Sequence, residues 1–247
     1  MGVNDAARLG ELTELAGVQR LSRSLTADWL EQHGVLPLGV AAGVARVGTW
    51  MDHVDSLALD DLRILLDAEI TLEANPGTFE SEKFRAFRAA GVNRLSIGIQ
   101  SFNAAHLKAL GRIHDDGEAR AAIAIAREHF DNFNLDLMYG LPGQSAAEAL
   151  ADVETAVTFA PPHLSVYHLT LEPNTYFHRY PPQLPDDDVT AQMQEALEAR
   201  LAAAGYRHYE TSAFALPGRQ ARHNMNYWTF ADYLGIGAGA HSKLSFP

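Results

Sequence analysis

The chain reads as an α/β protein built on parallel strands, arranged as a partial (β/α) barrel or an open sheet. Three observations lead there. Strand-like and helix-like segments alternate with short connections from Glu69 to about Ala215. The helical segments are long enough to be crossovers between parallel strands that they cover. Several apolar runs end in a polar residue, which is how such folds aim chemistry at one rim of the sheet.

Residues 1–68 fit this pattern least. Leu9, Leu12, Leu15 and Leu21 recur near helical spacing, as do Leu57, Leu59, Leu62, Leu65 and Leu66. Between them, VLPLGVAAGVARVG carries Gly39, Gly43 and Gly48 but no GxxxxGK[ST] and no clean strand before a GxGxxG. It reads as a poorly packed helix or loop. From Glu69 the elements sharpen. Ile70–Ala74 is a strand, and Asn75-Pro76-Gly77 a turn, because Pro presets φ and Gly permits a positive one. Thr78 is placed to cap a helix through Ala90, with Phe84 and Phe87 on one side and Gly91 as its stop. Leu95–Gln100 is a strand, followed by helices over Asn103–Leu110 and Glu118–His129. Phe133–Met138 is a strand, Ser145–Phe159 a helix and Leu164–Thr170 a strand. PPQLPDDD is a rigid polar linker, Val189–Ala204 a long helix closed by Gly205, and Arg207–Ala215 a strand. DYLGIGAGAHSKLSFP is a Gly-rich strand or loop.

Composition narrows the function. The chain has 247 residues, 47% hydrophobic and 20% charged, which suits one globular domain with an appendage. Its formal charge is -12 and no Lys/Arg-rich cluster appears, so nucleic acid is not an expected partner. No apolar run is long enough to span a bilayer, and the acidic start is unlike a secretory signal, so the expected location is cytoplasmic. There is no cysteine, which removes thiolate nucleophiles, disulfides, Cys-ligated zinc and ordinary iron–sulfur ligation within this chain.

If the strands are parallel, Glu73, Gln100, Asp136 and Thr170 converge at the C-terminal rim. Two carboxylates, an amide and a hydroxyl suit a ligand with amine, ribose or carboxylate groups. Arg112, one short helix after Gln100, can close over an anionic group as a planar fork. Taken singly, each residue reads as a loop or helix cap; the set reads as a site. A divalent-metal hydrolase is the rival, but only Glu73 and Asp136 qualify as its ligands. Of the eleven histidines, His223 stands out, because Arg222-His223-Asn224-Met225-Asn226-Tyr227-Trp228 joins an imidazole, a thioether and two large aromatics. Imidazole and thioether both ligate haem iron. On spacing alone the bland reading leads: Tyr227, Trp228 and Phe230 form a satellite core and His223 caps a loop.

The blocks TLEANPGT, GVNRLSIGIQSF, LKALGR, NLDLMYGLPGQ, HLSVYHLTLEPNT, AGYRHYETSAFA, RHNMNYW and DYLGIGAGAHSKLSF stand in order over roughly seven-tenths of the chain. On these, residues 69–247 resemble the oxygen-independent coproporphyrinogen III oxidase-like group of radical S-adenosylmethionine (SAM) proteins, in its haem-chaperone branch. The resemblance implies a partial (β/α) barrel that binds SAM at its C-terminal rim, with Glu73, Gln100, Arg112 and Asp136 as contacts. It implies that His223, in an HNxxYW pattern, ligates haem iron. The family's [4Fe–4S] cluster is held by a Cys-x3-Cys-x2-Cys loop, and a Gly-rich stretch holds the methionyl part of SAM. Residues 1–68 contain neither, and the family's first two strands are not recognisable there.

The expectations are therefore an atypical region over 1–68 and, over 69–247, a radical SAM-like partial barrel with the start of a post-barrel haem-motif region. The expected function is haem binding and delivery to haem-receiving apoproteins, with SAM binding weakened and no catalytic residue assigned. The alternatives are an anaerobic coproporphyrinogen III oxidase-type oxidoreductase and a truncated family member without activity.

Overall fold

The computed structural model of the chain describes residues 44–47, 68–78, 81–236 and 240–245. The leucine-periodic segments of 1–68 and the capping side chain of Thr78 lie outside the described residues. The elements, in order, are β1 (Val44–Val47), β2 (Glu69–Ala74), α1 (Ser81–Ala89), β3 (Arg94–Gln100), α2 (Ala104–Ala109) and α3 (Asp116–His129). They continue with β4 (Phe133–Tyr139), α4 (Ala146–Thr158), β5 (His163–His168), α5 (Tyr176–Arg179) and α6 (Asp187–Ala203). The last are β6 (Arg207–His208), β7 (Ala213–Ala215) and α7 (Arg222–Trp228).

The strands form one open sheet in the order β1-β2-β3-β4-β5-β7-β6. Strands β2 to β5 are parallel, as the alternation requires, and β7 joins β5 antiparallel. Two local readings change. Val44–Val47 is a strand rather than helix or loop; two of its four residues are β-branched valines, which favour that state. Arg207–Ala215 is not one strand but a tight hairpin, β6 pairing β7 with Arg207 opposite Ala215. The break falls at Tyr209, whose amide bonds back to the Ala213 carbonyl and whose ring turns toward His163.

The chain divides into two compact units. One comprises Ala45–Thr49 and Glu69–Phe230. In it, alternate strand residues Leu72, Leu95, Ile97, Ile99, Leu135, Leu137, Leu164 and Val166 meet Phe84 of α1, Ile123 of α3, Val153 of α4 and Met193, Leu197 and Leu201 of α6. The core is thus a single layer between the helices and one face of the sheet. Ala119, Ala122 and Ala126 give α3 a flat face that lets it lie close to the strands. Capping boxes at Asp115/Glu118 and Ser145/Glu148 start α3 and α4, and Asp186 caps α6. The other unit includes a loop closed by pairing of Tyr233 with Lys243. There Asp232 accepts from Lys243 Nζ at 2.9 Å and from the Ser245 amide at 2.6 Å.

Candidate functional site

The sheet face away from the helices is polar on four successive strands. Thr71 and Glu73 stand on β2, Arg94, Ser96 and Gln100 on β3, Asn134 and Asp136 on β4, and His163, Ser165 and Tyr167 on β5. Register makes them rows: Thr71 beside Arg94, Glu73 beside Ser96, Ser96 beside Asn134, Asn134 beside His163, and Asp136 beside Ser165. Together with His223 and Asn224 they line a trough of about 260 Å3 that follows the strands.

At the C-terminal end, β3 shifts register between Ile97 and Gln100. Gln100 has φ 68°, a left-handed conformation that a side-chain-bearing residue holds only when its surroundings enforce it. Gly98 leaves the room: a Cβ there would lie 2.8 Å from Gln100 Nε2 and 3.2 Å from Asn75 Oδ1. Such strain is common where a side chain is aimed at a ligand.

In the middle runs a buried hydrogen-bond chain with one consistent direction. Asn134 Nδ2 donates to Asp136 Oδ1 at 2.8 Å and to Ser96 Oγ at 3.0 Å, and the Ser96 hydroxyl donates to Asp136 Oδ2 at 2.9 Å. Asn134 Oδ1 accepts from His163 Nδ1 at 2.7 Å and from the Ser165 hydroxyl at 3.1 Å. His163 Nε2 then accepts from the Tyr209 hydroxyl at 2.6 Å. Burial, with the charge of Arg94, pushes the His163 pKa well below its usual range, so the ring is neutral and protonated on Nδ1.

Asp136 is the electrostatic focus. Burial, then repulsion from Glu73, raises its pKa to about 6, against the pull of Ser96, Asn134 and Ser165. Tyr167 is pushed up to about 12 by burial and by Asp136. A carboxylate held costly in this way favours a cationic or hydroxyl-bearing ligand that relieves it.

The linkage has a definite sign. Below the ordinary value of 3.8 the Asp136 carboxyl is neutral in both states and has no effect. Between there and about 6 only the unfolded chain ionises, so stability falls as pH rises, and the deficit persists above that window. Asp136→Asn keeps both bonds, because its amide can donate to Ser96 Oγ while the hydroxyl rotates. It is expected to be about 2 kcal/mol more stable than the wild type to urea at pH 7.5, and equally stable at pH 3. Equal stability at both values contradicts this.

The N-terminal end of the trough is closed by α7. Its N-cap is Ala221, which has no capping side chain. Remote groups take that role: the Ala221 amide and Asn224 Nδ2 both donate to Tyr209 Oη, at 3.1 and 3.3 Å, and the Arg222 amide donates to Glu69 Oε1 at 2.9 Å. Glu69 and His163 are the first residues of their strands, so α7 sits opposite the Gln100 end. His223 enters the trough there, its ring edge-on to Tyr227 one turn later at 4.6 Å. Met225, two residues on, is outside the trough lining. Tyr209→Phe removes an acceptor from two donors on α7. Amide exchange over 221–224 is expected to quicken about tenfold while β3 and β4 keep their protection. Unchanged exchange in α7 contradicts the anchoring role.

Of the residues singled out from sequence, Glu73, Gln100, Asp136 and His223 share the trough. Asp136 lies mid-strand, since β4 extends to Tyr139. Arg112 is exposed and does not line the trough, but it feels the charge of Asp136, which opposes the desolvation that lowers its pKa. Thr170 lies beyond the end of β5 and bonds to Glu172 at 3.0 Å. The satellite core does not form: Tyr227, Trp228 and Phe230 are 43%, 52% and 79% exposed. Arg94, Asn134 and His163 also line the trough and Tyr209 bonds to His163, although none of the four stands out from the sequence pattern. The signal for the first three is the alternation Arg94-x-Ser96, Asn134-x-Asp136 and His163-x-Ser165 inside runs that read as wholly apolar.

The model of the Radical SAM superfamily matches residues 49–156. The heme chaperone HemW of Escherichia coli K12 is 56% identical over 249 residues, covering 99% of this chain and 66% of the relative. That of Haemophilus influenzae is 54% identical over 180 residues, 72% of this chain and 47% of its own. The chain thus spans about half to two-thirds of these relatives. Among solved structures, coproporphyrinogen III oxidase HemN of Escherichia coli, described as a radical SAM enzyme, superposes with a TM-score of 0.65 at 27% identity. It covers 74% of this chain and 47% of HemN.

Proposed function

The chain belongs to the HemW-like branch of the radical SAM superfamily, and on that premise we propose that it binds haem through His223 and passes it to a haem-receiving apoprotein. The observation that carries this reading is the placement of His223: an imidazole lining the N-terminal end of the trough, on a helix fixed from two sides, beside aromatics left exposed. Haem, when bound, would supply an iron that takes an imidazole ligand, and His223 is the side chain that would hold it. The trough is too small for a whole macrocycle, since sites for drug-sized ligands run from about 300 Å3 upward. Only an edge of the ring would fit inside, and the exposed Tyr227 and Trp228 are the aromatic surfaces that would pack against the remainder.

Glu73, Gln100 and Asp136 fit the amine and hydroxyl groups of SAM, and Arg112, which feels the charge of Asp136, fits an anionic group beside them. A [4Fe–4S] cluster does not fit this chain: there is no cysteine, and no group of three or more metal-ligating His, Asp or Glu exists among the described residues. This donor set favours haem carriage over radical chemistry. No helix among the described residues is long and apolar enough to cross a membrane. The test is a haemin titration of the purified chain followed by absorption. The expected result is a saturable one-to-one band; a linear, unsaturable rise contradicts the proposal.

A further inference from the structure

Arg94, the first residue of β3, is 5% exposed and lines the trough. Its Nε is buried and meets no acceptor. Among the described residues, no carboxylate comes within ion-pair distance of its guanidinium. Its neighbours are neutral: Thr71 across the register, Ser96 on its own strand, and His163, which is held uncharged. A buried cation without a counter-charge is costly to a fold, and a fold that keeps one has a use for it. The charge faces the cavity, so the partner it lacks is a ligand's.

We propose that Arg94 is an anion-binding group at the floor of the trough, and that its ligand is a carboxylate of the molecule bound there. A planar guanidinium matches a carboxylate through two parallel bonds. A phosphate is disfavoured, because a dianion would also face Glu73 and Asp136 in the same small space. Two ligands of the proposed function carry a carboxylate: haem through its propionates, and SAM through its amino-acid end. Arg94 and His163 begin their strands at the end where His223 enters, which favours a propionate. That choice of source rests on the haem reading; the anion site does not.

The experiment compares ligands with and without the carboxylate. Haemin and haemin dimethyl ester are titrated by absorption, and SAM and its decarboxylated analogue by calorimetry. Each is added to the wild type, Arg94→Lys and Arg94→Met. The wild type is expected to hold haemin at least ~10-fold tighter than the ester. Arg94→Met is expected to erase that preference by weakening haemin alone, with Arg94→Lys between the two. Without ligand, Arg94→Met is expected to melt above the wild type, because it removes an uncompensated charge.

A preference for SAM over its decarboxylated analogue, lost in Arg94→Met, supports the site with the amino-acid end as source. It does so even if haemin fails to bind, in which case the haem reading alone falls. If Arg94→Met leaves both preferences unchanged, or the wild type shows neither, the anion site is overturned. Loss of haemin binding in His223→Ala then leaves the haem reading standing without it.

Discussion

Replacing His223 with Ala is expected to weaken haemin binding by about 100-fold and to abolish its saturable band, whereas Met225→Leu leaves the band in place. The segment offers iron two ligand types two residues apart, and the helix separates them. His223 faces the trough with Tyr227 packed on its ring, while Met225 is 39% exposed and lies outside the lining. The imidazole is also the better positioned, because its helix is tied to Tyr209 and Glu69 at its first turn. Both substitutions are expected to melt within a few degrees of the wild type, since neither side chain belongs to the buried core. A band that survives in His223→Ala and vanishes in Met225→Leu reverses the assignment.

Asn134→Ala is expected to destabilise the chain by about 3 kcal/mol in denaturant unfolding at pH 7. The amide is 2% exposed and makes four bonds, to Ser96, Asp136, His163 and Ser165. Without it the buried Nδ1–H of His163 has no acceptor, and a bare buried donor costs more than the bond itself was worth. Asp136 also loses a donor that stabilises its ionised form, so its pKa moves above about 6. That adds a pH-dependent part to the loss. The deficit is expected to shrink toward pH 4, where Asp136 is neutral in the folded state of both chains and the unfolded states titrate alike. A deficit that is small, or constant between pH 4 and 7, contradicts the role of Asn134 as the hub of the chain of bonds.

Much of the fold was legible because its signals are local. The crossovers between β2 and β5 follow from strands alternating with helices under ordinary caps, such as Asp115 and Ser145. The rim residues Glu73 and Gln100 were legible because each ends an apolar run. Asp136 was identified for the same reason, although its position proved to be mid-strand. Arg94 and His163 were hidden for a physical reason: each opens a strand, and one face of that strand is core while the other is polar trough. A mixture of Leu, Ser, Ile and Gln on one strand then averages to an apolar run. Tyr209 was hidden because its importance is non-local, joining His163 to Asn224 across 46 and 15 positions. The hairpin at Tyr209 was missed because Arg207–Ala215 carries no Gly or Pro to mark the turn.

The most direct test of haem ligation at His223 is electron–nuclear double resonance on the haemin complex of chain grown with 15N-histidine. The account requires a strongly coupled axial 15N in the wild type, absent from His223→Ala loaded to the same haemin content. An axial 15N that persists unchanged in His223→Ala, or none in the wild type, contradicts it.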